Sequence, residues 1–330
     1  MARVDVLLVS LGSTAGLRAA DAELAGALER AGARVAVAAA APQRDVRTLA
    51  LTDLVWARAA RAAASRALRE QRPRAILYST TTAALLWPAP GAIRYDAPSA
   101  ANRPGRHGVW QRPLERRRLR AAPLLVPWAD GSLAETPAPH APAVVVPVPV
   151  DPSTPGGGPS GGEPRDIAAI TYGANPDKKG LDRVLAAWRS AHRKGEQLLI
   201  AGLAGPDEPG VRYLGMLARA DYRALLRRAR VFVTAPRRED YGIAQLEALA
   251  DGCALVTTPA PGPYAALPLA RALDPRLVTD DPSGLATALR AALDDPAPGY
   301  AEHARAAVAP FTRAAVDGTV ADELLPRLLA

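Results

Sequence analysis

Short apolar runs, each closed by a turn and followed by a helix-patterned segment, recur along this chain, and that alternation admits few folds. Residues 4–10 (VDVLLVS) are nearly all apolar, Gly12-Ser13-Thr14 turns the chain, and 17–31 reads as a helix closed by Gly32. A second apolar run follows at 35–40. Strands apolar on both faces suit a parallel sheet with helices on each side, so this opening reads as the start of a doubly wound α/β domain. The pattern continues with a helix at 51–71, strands at 75–78 and 92–95, a basic helix at 110–121, and strands at 124–127 and 144–148.

Residues 151–164 (DPSTPGGGPSGGEP) are nearly devoid of apolar side chains and read as a linker. The alternation then restarts: strand 167–172, helix 181–191, strands 198–201 and 212–214, helix 222–230, strand 231–234, strand 277–279 and helix 283–293. The expectation is an α/β chain of two Rossmann-like doubly wound domains, 1–150 and 165–330, facing a cleft, with the last helix pattern, 314–329, folding back on the first domain. At 330 residues each half is long enough to bury its own core. No run of about 20 apolar residues is present, so no segment is expected to cross a bilayer. No secretory signal is read, and the single Cys253 suits a buried small hydrophobe in a reducing cytoplasm. Neither Cys253 nor the four histidines show metal-ligand spacing, and no Walker loop or nucleophile elbow is present, so no metal and no cofactor are expected.

The densest chemistry lies at 239–262 (EDYGIAQLEALADGCALVTTPAPG). It sits between apolar strands, with Ile243, Leu246 and Ala250 at helical spacing and Gly252 where a helix should stop. Glu247 borders that apolar stripe, where a carboxylate needs a partner. Glu239 stands eight residues earlier, in the loop that opens the helix. The first turn, from about Tyr241, offers free backbone N–H groups and the positive end of the helix dipole. Two carboxylates flanking an anion-accepting helix start suit a nucleotide sugar; the plain alternative is a surface Glu and a salt-bridged helix Glu. The order strand, Glu-x-x-Gly loop, helix with a second Glu, Gly, strand, Gly-Pro loop resembles the donor-binding signature of retaining GT-B glycosyltransferases, the family-4 kind. The resemblance implies that Glu239 touches the donor sugar, Glu247 grips the ribose, and the Tyr241–Gly242–Ile243 backbone holds sugar and phosphate. Asp240 stands where that family has a small residue.

The same resemblance reads residues 172–180 (YGANPDKKG) as the diphosphate clamp, with Lys179-Gly180 matching and Ala174 standing where the family has Arg. Either Lys178 or an arginine of the first domain would then supply the missing charge, or donor binding would be weaker. Lysine is rare here, 3 residues against 38 Arg, so adjacent Lys178 and Lys179 stand out; without an anion they would oppose the dipole of a following helix. By the same analogy the base lies near Met216 and Leu217, which core packing would explain equally well. Asp96 follows Tyr95, where the family has His-Asp on the acceptor side; it reads either as the group that orients or activates an acceptor hydroxyl or as a helix or turn cap. Gly12 is a cleft residue or a plain turn. The resemblance thus implies a hexosyl transferase that uses a nucleoside-diphosphate sugar as substrate, with Lys179, Asp96 and Glu239 carrying the chemistry and a glycan or lipid-linked acceptor.

Charge is unevenly shared. Residues 1–150 hold 20 Arg against 11 acids, +9, so the whole net charge of +8 resides there and 151–330 carries −1. Within it, Trp110, Arg112, Arg116, Arg117, Arg118 and Arg120 read as an interfacial helix for an anionic membrane surface, which would place the protein peripherally on the inner face of the plasma membrane, or as a solvated helix. The rival function is a catalytically weakened binding protein whose basic half holds nucleic acid or another polyanion. No single-strand stacking platform accompanies the arginines, which disfavours nucleic acid. Oligomeric state is not legible.

Overall fold

The computed structural model describes residues 4–44, 46–153 and 164–330, so residues 154–163 of the proposed linker lie outside the described residues. The chain forms two compact units, 1–149 with 313–330 and 150–312.

The first unit runs β1 (Val6–Ser10), α1 (Ala15–Arg30), β2 (Val35–Ala39), α2 (Leu49–Glu70), β3 (Ala75–Tyr78), α3 (Thr81–Leu85), β4 (Ala92–Tyr95), α4 (Ser99–Asn102), α5 (Gln111–Ala121), β5 (Leu125–Pro127) and α6 (Asp130–Ala134). Its sheet is parallel throughout, in the order β2-β1-β3-β4-β5. Alternate β1 side chains enter opposite cores: Leu7 and Val9 join Trp56, Tyr78 and Ile93, whereas Val6 and Leu8 join Leu24, Leu28 and Leu77. The continuously apolar strand therefore has both faces covered. The strand expected at 144–148 is instead an irregular edge: Val144 and Val146 donate to the carbonyls of Leu125 and Pro127, while Pro147 and Pro149 have no N–H to extend a ladder.

The second unit runs β6 (Ile167–Tyr172), α7 (Pro176–Lys179), α8 (Leu181–Ala191), β7 (Leu198–Ala201), β8 (Val211–Gly215), α9 (Arg219–Arg228), β9 (Ala229–Val233), α10 (Ile243–Ala250), β10 (Ala254–Val256), α11 (Ala266–Leu273), α12 (Leu285–Asp294) and α13 (Tyr300–Ala307). Its parallel sheet has the order β10-β9-β6-β7-β8. The helix expected at 222–230 starts earlier and gives up Ala229 and Arg230 to β9. The strand expected at 277–279 is a 3-10 turn, Pro275–Leu277, with one bridge from Val278 to Thr257. Helices α11 and α13 escape the sequence pattern, α11 carrying Pro268 within its first turn, where a missing N–H costs nothing.

From Arg313 the chain returns to the first unit as one helical run to Leu329, with a π turn at Val320–Leu324. Pro326 follows that turn and cannot donate to the ladder. Val316, Val320 and Leu324 complete the core beside Leu24 and Leu28; Arg30 pairs with Asp317 at 2.6 Å, and Arg313 also pairs with Glu23.

Candidate functional site

In a doubly wound sheet, loops leaving the carboxyl ends of two adjacent strands diverge where the strand order reverses, and ligands bind in the crevice this opens. In the second unit that point lies between β6 and β9, so the relevant loops are 173–180 and 234–242. Backbone contacts weld them together. Arg237 N–H donates to Lys178 O at 2.9 Å, and Gly180, at φ +63°, lies so near Ala235 that a Cβ would stand 1.9 Å from its carbonyl oxygen. The loop after β10 joins them: Glu239 N–H donates to Pro261 O at 3.0 Å, Ala265 N–H to Tyr241 O at 3.0 Å, and a Cβ on Gly262 would meet Glu239 O at 2.2 Å. Only glycine admits such approaches.

The welded loops bring Lys178, Lys179, Glu239 and Asp240 together. Lys179 Nζ donates to Glu239 Oε2 at 2.6 Å, and Gln245 Nε2 donates to the same oxygen at 2.8 Å. Lys178 Nζ donates to Asp240 Oδ2 at 2.5 Å, while Arg238 Nε takes Oδ1 at 2.6 Å. Glu239 and Asp240 are buried. Burial works against the Asp240 charge, but Lys178 and Arg238 outweigh it and hold its carboxyl below the usual range. The lysines are not simply a helix start. They close the single turn α7, whose cap Asn175 accepts from Lys178 N–H, so they sit at a carbonyl end that favours cations, and carboxylates already face them.

Gly242, at φ +93°, starts α10 without a side-chain cap, so the first-turn N–H groups from Ile243 receive no hydroxyl or carboxylate from that position. Tyr241 is buried and Ile243 half-buried. Glu247, on α10, is buried and finds partners the sequence did not name: Arg219 Nη2 at 3.1 Å and Arg223 Nη1 at 3.8 Å. Arg223 also holds Asp251 at 2.5 and 2.8 Å. Two arginines four apart on α9 were the available signal. Met216, for which core packing was one expectation, is 71% exposed, which overturns that alternative; Leu217 is half-buried.

In the first unit the strand order reverses between β1 and β3, and Gly12 lies there at φ +59°, its carbonyl accepting from Arg18 at 2.8 Å. Ser79 Oγ accepts from Leu11 N–H at 3.0 Å, tying the two loops. Asp96 follows β4, half-buried, with Oδ1 accepting from Ala97 N–H at 2.8 Å and its carbonyl from Ser132. That is a local turn and not a helix cap, because α4 begins after Pro98 with no side-chain cap bond. Tyr95 points into the core, its hydroxyl 2.7 Å from Thr136 Oγ1, and burial pushes it up to about 12.

The basic helix buries a face other than the one its apolar residues suggest. Trp110 and Leu114 are half-buried, while Gln111, Glu115 and Leu119 face inward. Glu115 accepts from Ser99 N–H and Oγ at 2.7 and 2.6 Å, and Gln111 donates to Asp53 at 3.1 Å. Trp110 Nε1 donates to Ala50 O, so the ring expected at a lipid surface is anchored inward. Arg112, Arg116 and Arg120 donate to carbonyls of the same unit, and Arg118 donates to Leu85 O and lies 4.7 Å over the Trp87 ring. Arg117 is exposed.

Residues 167–295, from the first residue of β6 to the residue after α12, match the glycosyl transferases group 1 family. The second unit is a group 1 glycosyltransferase domain. No curated protein sequence is significantly similar to the chain. Among solved structures, sucrose-phosphate synthase from Thermosynechococcus elongatus has a TM-score of 0.75 at 15% identity, covering 98% of this chain and 100% of that one. WaaG, a glycosyltransferase involved in lipopolysaccharide biosynthesis, gives 0.71 at 16%, covering 97% and 99%. An α,α-trehalose-phosphate synthase (UDP-forming) from Burkholderia xenovorans, in complex with glucose-6-phosphate, gives 0.66 at 15%, covering 100% of both. The fold is GT-B.

The glycosyltransferase domain thus contains the whole Lys178–Lys179–Glu239–Asp240 cluster and Glu247. Among the described residues, no group of three or more His, Cys, Asp or Glu is placed to hold a metal ion. Burial pushes the Glu247 carboxyl above its usual value, with Arg223 and Arg219 pulling the other way. If Glu247 grips ribose hydroxyls, as the resemblance implies, it accepts from them as a carboxylate. On that reading nucleotide affinity is expected to fall as pH is lowered, at higher pH than an ordinary glutamate would give. Stability moves oppositely: with its folded pKa raised, Glu247 lowers stability as pH rises through that window. Calorimetric Kd against pH checks this, and Glu247→Gln should remove that inflection.

Proposed function

We propose that this chain is a retaining glycosyltransferase that moves a hexosyl group from a nucleoside-diphosphate sugar to an acceptor hydroxyl. The observation that carries the reading is the Lys179–Glu239–Gln245 contact at the reversal point of the second sheet, with buried Glu247 two residues after Gln245 on α10. Glu239 would accept from donor-sugar hydroxyls, Glu247 from ribose, and the α10 N–H groups with Lys179 would take the phosphates. As the bond from the anomeric carbon to the phosphate oxygen breaks, negative charge grows on that oxygen. A positioned ammonium and fixed N–H dipoles stabilise it without reorganising. The acceptor oxygen bonds the same carbon on the same face, and its proton leaves with the departing diphosphate, so the anomeric configuration is kept. Asp96 would orient the acceptor hydroxyl. That the similar trehalose-phosphate synthase is UDP-forming and was found with glucose-6-phosphate supports a nucleotide donor and a sugar acceptor.

The test is incubation with a panel of nucleotide sugars, following nucleoside diphosphate release and the anomer formed by NMR. Release of sugar with the donor's own anomeric configuration supports the reading. Inversion, or no donor consumed or bound while nucleic acid binds salt-dependently, would replace it.

For the acceptor side, Arg112, Arg116, Arg117 and Arg120 line a shallow concavity with Ala100 and Pro137, which suits an anionic glycan or lipid-linked acceptor at a membrane surface. No helix among the described residues is long and apolar enough to cross a membrane, and Trp110 is tied inward, so attachment would be electrostatic. Flotation with anionic vesicles should be lost at high salt and in the Arg116→Ser, Arg117→Ser, Arg120→Ser triple variant. Protein that stays soluble at low salt would favour a soluble acceptor.

A further inference from the structure

Glu247 is held by one oxygen only. Arg219, the first residue of α9, approaches Oε1 with Nε at 3.2 Å and Nη2 at 3.1 Å. Arg223, one turn on, commits Nε and Nη2 to Asp251 at 2.5 and 2.8 Å, and its remaining Nη1 stops 3.8 Å from the same Oε1. Among the described residues none donates to Oε2. A carboxylate that merely tied α9 to α10 would not need this arrangement, because Arg223 and Asp251 already make that tie. In a side chain 8% exposed, an oxygen left without a donor is costly.

The second arginine cannot shift to improve matters. Asp251, 1% exposed in its side chain, takes both Arg223 bonds and also accepts on Oδ1 from Ser153 N–H and Oγ, at 2.9 and 2.6 Å. Arg223 Nη2 donates further to Asp151 O at 2.8 Å. Closing the gap to Glu247 would break bonds that are all shorter than the one gained. Arg223 thus supplies charge at a fixed distance, tempered by Asp251, and Arg219 supplies direction. The other ionisable groups facing Glu247 are Tyr222 on α9 and Tyr172 on β6, both pushed above the ordinary tyrosine value by burial and therefore neutral.

We infer that Arg219 and Arg223, with Asp251 behind them, are positioning residues that pin Oε1 of Glu247 and leave Oε2 to accept from the ribose hydroxyls of the nucleotide. The inference rests on the ribose reading of Glu247 and goes beyond it by assigning the residues that aim the carboxylate, one oxygen to the protein and one to the ligand.

Calorimetric Kd for UDP, ADP and GDP and for their 2′- and 3′-deoxy counterparts, measured across pH, tests it. Arg219→Ala should weaken the ribonucleotide about 3- to 10-fold at neutral pH and change a deoxy counterpart little, so the preference for ribose shrinks. It should also move the loss of affinity to higher pH, since removing a cation disfavours the ionised carboxylate. Asp251→Asn removes a neighbouring anion and loosens Arg223, so it should move that loss to lower pH. Arg219→Lys keeps the charge without the fork, and should hold the wild-type pH dependence while giving up part of the ribose preference. Opposite pH shifts and a changed ribose preference are readouts that a merely structural role would not give. If Arg219→Ala does not fold, Arg219→Lys decides on the same preference. If the Arg219 variants weaken ribo and deoxy ligands equally, or keep the full preference while Glu247→Gln loses it, the inference falls and the ribose reading stands. If Glu247→Gln keeps both affinity and preference, or the wild type binds none of the nucleotides, the ribose reading itself fails, and this inference with it.

Discussion

Lys179→Ala is expected to lower turnover by about 10²-fold or more, the usual effect of removing one preorganised donor from developing negative charge. Read from the sequence alone as a ligand to the departing diphosphate, the lysine should matter for turnover and leave the melting temperature unchanged. The ion pair changes that expectation. Glu239 is 4% exposed and shares one oxygen between Lys179 and Gln245, so the single substitution leaves a buried carboxylate with an amide alone to satisfy that oxygen. Breaking a buried pair from one side costs far more than removing both charges. The melting temperature should therefore drop in Lys179→Ala and recover when Glu239→Gln is added, while turnover stays low in both. Near-normal turnover in the single variant would move the role to Lys178 or Arg238.

Glu247→Gln should weaken nucleotide binding by about 1.5–3 kcal/mol, the worth of a hydrogen bond to a charged group, which is roughly a 10- to 150-fold rise in Kd. Here the fold should tolerate the change. Arg219 is 54% exposed in its side chain and can return to water, and Arg223 keeps both bonds to Asp251. Calorimetry with the nucleoside diphosphate product measures the loss, and a thermal melt separates it from unfolding. Equal affinity in wild type and variant would remove Glu247 from the ribose.

What was legible in the sequence is what depends on local pattern. The runs 4–10 and 167–172 announce strands covered on both faces, and the spacing from Glu239 to Glu247 announces a loop and the helix it opens. What was not legible depends on contacts distant in the chain. Nothing near Glu247 indicates Arg219 and Arg223, 28 and 24 residues away, and nothing near Lys178 indicates Asp240, 62 residues on. The basic helix misleads for a related reason. Its buried face is Gln111, Glu115 and Leu119, and two of those three are polar residues bonded to Asp53 and Ser99, so apolar periodicity points to the wrong side. Proline obscures the rest, turning the apolar stretch at 144–148 into an edge that cannot pair regularly.

Because residues 313–330 belong to the first unit, that unit, begun first, is finished last. During synthesis Leu24, Leu28 and Leu8 lack Val316, Val320 and Leu324 until all of residues 150–312 have been made. At the usual elongation rate that interval is on the order of 10 s. Over it the nascent chain carries an uncovered apolar stripe beside α1, which is the kind of surface a chaperone holds. The second unit is continuous in the chain, so its own contacts need no residue after Thr312.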